Sequence, residues 1–270
     1  MTTKKYEGTK FNPLTTVKTI DSLPVEEALQ ININGAAFTI SMRTPSEDEN
    51  LVRGLLHSEG IINDPLFTPD MISEKENKNS AISTVSVTIP ENKLGNGYSN
   101  KRTLLSVSSC GICGKTELRE LEGTEKKITD NQKVELELVN ELFVKMLVSQ
   151  QDFKKSGGTH AAAVFSLSGK MLCSMEDVGR HNAVDKVIGK LINFNKLEEA
   201  KIITVSGRIS YEIVIKCFKA GIPFLAAVSA PSSLAVDYAK ELGITLFAFC
   251  RDNRVTCYSN PQRTKNKIKT

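Results

Sequence analysis

Residues 201–249 read KIITVSGRISYEIVIKCFKAGIPFLAAVSAPSSLAVDYAKELGITLFAF. Three short apolar runs, 201–205, 224–229 and 244–249, alternate with two stretches of helical spacing, 211–219 and 234–242. The runs read as strands. Gly221 with Pro223, and Gly243, stand where the two helices must stop. Strand and helix in alternation predict an α/β layered domain.

The same pattern extends upstream. Leu138, Leu142, Phe143 and Met146 mark a helix, residues 160–167 form an apolar run, and Gly169 turns the chain toward a second strand at 171–174. Val184, Val187, Ile188 and Leu191 mark another helix. Before residue 121 the texture differs. Leu29, Ile31 and Ile33 alternate with polar residues, then come Asn34-Gly35 and another apolar run, which is a hairpin signal. Ser46 with Glu49 has the spacing of a capping box ahead of a helix through Leu51, Val52, Leu55 and Leu56, ended by Gly60. A weak strand is expected at 81–89, inside the polar region 63–100, and another strand at 102–107. The charged stretch 121–136 reads as a linker. The division that follows is a loosely held 1–20, an α+β domain over 21–130, an α/β domain over 131–258 and a basic tail over 259–270.

Composition bounds the function. Apolar residues are 40% and charged residues 24%, so 270 residues suffice for a buried core. The net charge is +4, but six of the 35 basic residues and one of the 31 acidic ones fall within 251–270. The first 250 residues therefore carry 29 basic against 30 acidic side chains, not the basic stripe of a nucleic-acid-binding surface. No stretch approaches a membrane span, and the first fourteen residues lack the apolar core of a secretory signal. A cytoplasmic protein without nucleic-acid or membrane partners is expected.

Chemistry concentrates in a few turns. Residues 108–115, SSCGICGK, place Cys110 and Cys113 two residues apart among glycines, with Lys115 favouring thiolate. On these residues alone four readings stay open: structural zinc, a redox dithiol, inert buried thiols, or a sulfur relay through a persulfide. Zinc is the poorest, because no second ligand pair is visible as a motif. One turn, 156–163 (SGGTHAAA), sets two glycines before a strand, and others lie at predicted helix starts: 176–186 (EDVGRHNAVDK), 206–210 (SGRIS) and 229–234 (SAPSSL). The segment 249–254 (FCRDNR) follows the last strand. Ligands of open α/β sheets bind beyond strand ends near helix starts, where free N–H groups suit anions. A phosphate-rich ligand is expected there.

Together with 43–61 (RTPSEDENLVRGLLHSEGI), 176–189 and 220–254, these blocks resemble the formate dehydrogenase accessory proteins, a family of sulfurtransferases. The resemblance implies sulfur passed from a cysteine desulfurase to Cys110 as a persulfide, with Cys113 as second thiol. It further implies delivery to molybdenum bis(molybdopterin guanine dinucleotide), which is sulfurated before insertion into apo-formate dehydrogenase. It assigns cofactor binding to Phe249, Cys250, Arg251, Asp252, Asn253 and Arg254, with His181, Ser206, Gly207 and Arg208 as further candidates. Guanine nucleotides would mimic the cofactor, and its two nucleotide arms suggest a homodimer. The implied fold is a cytidine-deaminase-like three-layer C-terminal domain beside a smaller α+β N-terminal domain. The zinc deaminases' glutamate and thiolates are replaced: Ala162 stands two residues after His160, and the later motif reads Pro231-Ser232-Ser233-Leu234. No metal site is expected. The competing functions are a cofactor chaperone that transfers no sulfur and a dithiol oxidoreductase.

Overall fold

The structure is a computed structural model that describes residues 1–75, 82–99, 127–129 and 131–265. It begins with a two-stranded ribbon, β1 (Thr3–Phe11) and β2 (Thr16–Pro24). Then follow β3 (Glu27–Ile33), β4 (Ala36–Arg43), α1 (Asp48–Ser58), β5 (Asp70–Lys75), β6 (Ile82–Thr88) and the single turn α2 (Asn96–Ser99). The second half contains β7 (Val134–Glu135), α3 (Leu136–Ser149), α4 (Gln151–Ser156), β8 (His160–Phe165), β9 (Met171–Asp177) and α5 (Arg180–Asn193). It ends with β10 (Ile202–Val205), α6 (Tyr211–Lys219), β11 (Phe224–Ala227), α7 (Ser233–Leu242), β12 (Thr245–Arg251), β13 (Arg254–Cys257) and β14 (Thr264–Lys265).

The apolar runs build a six-stranded sheet in the order β13-β12-β11-β10-β8-β9. β10, β11 and β12 run parallel, as their helical connections require, and β8, β9 and β13 are added antiparallel. Side chains alternate between its faces. Ala162, Val164, Ile203, Val205, Leu225 and Leu246 pack on α5, α6 and α7. Ala161, Ala163, Phe165, Ile202, Phe224 and Phe247 pack on Val139, Leu142 and Met146 of α3. This is the three-layer arrangement, and covering both faces is why the runs carry no polar alternation.

The smaller unit is a four-stranded sheet, β4-β3-β6-β5, whose Leu29, Ile31, Ile33, Val85 and Val87 pack on Leu51, Val52 and Leu56 of α1. The opposite side of α1 crosses α5 at glycines. A Cβ on Gly54 would lie 1.9 Å from the Asp185 carbonyl oxygen, and one on Gly189 would lie 1.8 Å from that of Asn50. Only glycine permits backbones this close.

Polar groups complete the joint. Asp177 and Lys186, both buried, form an ion pair at 2.7 Å. The Asp177 carboxylate also accepts the N–H groups of Thr44 (3.1 Å) and Gly179 (2.8 Å) and the Asn182 amide (3.0 Å). The Lys186 ammonium donates to the Thr44 carbonyl at 2.9 Å, and Asn182 donates to the Met42 carbonyl at 2.8 Å. Deeper in, Asp185 holds Lys216 at 2.7 Å and accepts from Ser58 at 2.8 Å. The turn 176–186 is therefore an interdomain clasp. Its Asp177, Asp185 and Lys186 are buried rather than solvated charges.

Several expectations are corrected. Residues 1–20, expected to be loosely held, contribute all of β1 and most of β2. Ser46 and Glu49 make no capping box: Glu47, in the left-handed region at φ 59°, precedes α1 without a side-chain cap. β5 was not foreseen, while β6 replaces the expected 81–89 strand almost residue for residue. Part of the expected linker is integral, since Val134 is buried and β7 pairs with β14. The expected basic tail is also partly internal. Buried Arg263 donates to the carbonyls of Gly243 (2.7 Å) and Ile128 (2.9 Å). The expected 102–107 strand lies outside the described residues.

Asp177→Asn keeps the shape but leaves the Lys186 ammonium buried without a counter-charge, so chemical denaturation should show a loss of about 3 kcal/mol or more. A second change, Lys186→Met, should recover part of it. A loss below about 1 kcal/mol would show that the clasp is not what joins the two units.

Candidate functional site

The C-terminal ends of β10, β11 and β12 open on a groove of about 1480 Å³, beyond the size of an ordinary small-molecule pocket. Three chain segments meet there. Gly157, Gly158, Thr159 and His160 come from the turn between α4 and β8, Ser206 follows β10, and residues 250–256 cross the far side.

Each segment is fixed locally. Gly157 ends α4 at φ 65°. Gly158 is pressed against the ribbon, where a Cβ would fall 2.8 Å from the Pro24 ring. Glu176 accepts from the N–H groups of Asp152 (2.9 Å) and Phe153 (2.7 Å) and from the Thr159 hydroxyl (2.7 Å), so it caps α4 instead of facing a ligand. The Ser206 hydroxyl accepts from Ala161 N–H at 2.9 Å, tying the end of β10 to the start of β8.

The β12–β13 hairpin supplies the cations. Asp252 and Asn253, at φ 53° and 57°, form the two-residue turn that favours these residue types. The pairing slips between Ala248 and Arg251, and Phe249 is forced to φ 53°, an unusual conformation for an aromatic residue. The slip buries Cys250 and leaves Arg251 and Arg254 exposed. Burial pushes the Cys250 thiol up to about 12, so it is not a thiolate at neutral pH. Arg254 reaches Asp252 at 3.2 Å in the open.

His160 lies beside the Gly207 backbone, where an added Cβ would meet Nδ1 at 3.2 Å. Burial lowers its pKa below the usual 6.5, Arg180 and Arg208 lower it further, and Asp177 opposes them. The ring is therefore neutral at neutral pH. The Arg180 Nε is buried with no hydrogen-bond partner among the described residues.

Of the expected site residues, Ser206, Cys250, Arg251, Asp252, Asn253 and Arg254 come together along the groove. Phe249 does not line it; its ring faces Tyr258 at 6.3 Å. Gly207 and exposed Arg208 stand behind His160. His181 is buried between the Ser210 hydroxyl (2.9 Å) and Glu212 (3.0 Å), joining the first turns of α5 and α6. Cys110 and Cys113 lie outside the described residues. The chain on either side of that stretch is anchored: Gly97 against the backbone of Glu59 and Gly60, and Ile128 by its N–H on the Leu242 carbonyl at 3.0 Å.

The sequence reading missed the wall formed by α3, with Glu137, Asn140, Glu141, Val144 and Leu147. The signal was present: α3 carries more apolar residues than its buried stripe needs, and Val144, Leu147 and Val148 stay exposed. His160 opens β8 and residues 231–234 lead into α7, whose cap is Ser232. Among the described residues, no three His, Cys, Asp or Glu side chains converge as metal ligands.

The sequence of residues 24–265 matches the FdhD/NarQ family. The sulfur carrier protein FdhD of Picrophilus torridus is 41% identical over 253 residues, covering 90% of this chain and 92% of its own. That of Streptomyces coelicolor is 39% identical over 256 residues, covering 90% and 89%, and that of Nocardia farcinica 36% over 273 residues, covering 98% and 95%. Among solved structures, one from Desulfotalea psychrophila, described as a formate dehydrogenase accessory protein, shares the fold with a TM-score of 0.77 at 21% identity, over 98% of this chain and 100% of that one. The groove and its turns are thus built on the scaffold of the FdhD/NarQ family, to which this chain belongs.

Proposed function

We propose that the protein is a sulfur carrier that accepts sulfur on Cys110 from a cysteine desulfurase and passes it to molybdenum bis(molybdopterin guanine dinucleotide) for formate dehydrogenase. The observation that carries the second half is the groove, where six of the expected cofactor-binding residues meet a glycine turn and a neutral histidine. Family membership supports the first half, because relatives matched over most of the chain are named as sulfur carrier proteins.

The chemistry balances without a metal of the protein's own. The Cys110 thiolate attacks the outer sulfur of the desulfurase persulfide; a new S–S bond forms on Cys110 and the desulfurase thiolate leaves. Attack by Cys113 on the Cys110 sulfur forms a Cys110–Cys113 disulfide and releases the outer sulfur as sulfide. The two thiols supply the two electrons. Sulfide exchanges with an oxygen ligand of the client molybdenum, releasing water after protonation, and an external thiol reduces the disulfide. Arg251 and Arg254 offer guanidinium donors to the cofactor's diphosphates, and the backbone at Gly157 and Gly158 permits close approach. The cofactor's two nucleotide arms favour a homodimer with paired grooves.

Three outcomes follow. In calorimetric titration with GDP, Arg251→Ala should weaken binding about tenfold. An anion near His160 raises that pKa, so lowering the pH from 8 toward 6 should tighten GDP binding in the native protein relative to His160→Gln. Identical profiles would remove His160 from the site. In cells or extracts dependent on this protein, Cys110→Ala should abolish formate dehydrogenase activation while GDP binding persists. Retained activation would favour the chaperone reading.

A further inference from the structure

The back of the groove holds more positive charge than the fold itself uses. His160 lines the groove, and its ring packs over the Gly207 backbone. Arg180, at the start of α5, packs on the same glycine: the Cβ position of Gly207 lies 3.2 Å from His160 Nδ1 and 3.4 Å from Arg180 Cδ. Arg208 follows directly in the chain, exposed and close enough to act on His160. One imidazole and two guanidinium groups thus gather at one glycine turn.

Acids do not balance them. Among the described residues neither Arg180 nor Arg208 pairs with a carboxylate, and the buried Arg180 Nε has no acceptor. A buried donor without an acceptor is costly, and most such groups in folded proteins have a partner. Asp177 acts on His160 but is already held by Lys186, Thr44, Gly179 and Asn182. Glu212 is held by His181. The groove's own acids, Glu137, Glu141 and Asp252, are not among the charges that act on His160.

This surplus suits one kind of group. Guanidinium forks match the oxygens of a phosphoryl group. No side chain caps α5, which begins at Arg180, so its first N–H groups add to the same positive field. Arg251 and Arg254 belong to a different wall, the β12–β13 hairpin. The groove therefore offers two separate sets of cations, and a nucleoside diphosphate offers two phosphoryl groups.

We propose that Arg180, Arg208 and His160 form a subsite for the phosphoryl group remote from the nucleoside in the groove's ligand, and so set a preference for a diphosphate over a monophosphate. The inner phosphoryl group stays with Arg251 and Arg254. As the outer one binds, the Arg180 guanidinium gains an acceptor, and the added negative charge favours the imidazolium form of His160. The assignment rests on the groove reading above and deepens it, but asks nothing of Cys110.

Calorimetric titration of the full chain with GDP and GMP tests it. The native protein should bind GDP about tenfold or more tightly than GMP. Arg180→Gln and, separately, Arg208→Gln should bring that ratio close to one while leaving GMP affinity unchanged, whereas Arg251→Ala should weaken both nucleotides alike. Arg208 is exposed, so its replacement decides the matter even if Arg180→Gln fails to fold. Inorganic phosphate is the second probe. The chain has three histidines, so His160 can be followed singly by NMR. Phosphate should raise the pH at which His160 titrates, should lose that effect in Arg208→Gln, and should compete with GDP but not with GMP. Equal native affinities for GDP and GMP, or a ratio that survives both replacements, would overturn the proposal. So would phosphate that leaves His160 unmoved or fails to compete with GDP. A native protein that binds neither nucleotide would bring down the groove reading and this subsite with it, while GDP bound with an unchanged preference in the variants would bring down the subsite alone.

Discussion

The ion pair between Asp177 and Lys186, closed off from water, is the constraint on which the rest of the arrangement depends. A buried charge pair adds little stability for its own sake, because desolvation offsets much of the attraction. Its value here is specificity of position. Asp177 ends β9, Lys186 lies in α5, and Thr44 follows β4, so one carboxylate fixes three elements from both units. The glycine crossing of α1 and α5 sets how closely the units approach, and the clasp sets their orientation. Arg180, at the start of α5, and His160, paired with Asp177 across the β8–β9 ladder, are thereby held at the back of the groove.

The strands of the large sheet end in two different surroundings. The groove opens where β10 and β12 end, so Ser206 and the β12–β13 hairpin are brought together although far apart in sequence. The described chain before and after residues 100–126 is tied at the opposite strand ends, near the ends of α6 and α7: Gly97 lies against Gly60, whose Cβ position is 3.3 Å from Lys219 Nζ, and Ile128 N–H bonds to the Leu242 carbonyl. A sulfur carrier needs a thiol that can meet a donor protein and a bound client at different times.

Much of this was legible in the sequence, and the exceptions share a cause. Apolar runs and stop signals located β8, β10, β11 and β12 and the helices between them, because local patterning and tertiary burial agree there. The FCRDNR segment stood out through its position after an apolar run and its arginines, and the structure places residues 250–254 along the groove. His181 lies away from the groove lining; a histidine beside an arginine at a helix start looks the same in sequence whether it faces a groove or, as here, Ser210 and Glu212. The polar ribbon read as loose because two-stranded pairing leaves nearly every side chain exposed, erasing the alternation that betrays a strand. The α3 wall was missed for the opposite reason: Leu138, Leu142, Phe143 and Met146 account for a helix by themselves, and the further apolar Val144, Leu147 and Val148, exposed in the structure, add nothing to that signal.

The central claim is that Cys110 carries sulfur. The most direct measurement is peptide mass spectrometry of the protein after incubation with a cysteine desulfurase and cysteine. The account predicts one added sulfur on the peptide containing Cys110 and Cys113, removed by reductant and absent in Cys110→Ala. Unmodified peptide, with GDP still bound by the groove, would contradict it and leave a cofactor carrier in which the two cysteines transfer nothing.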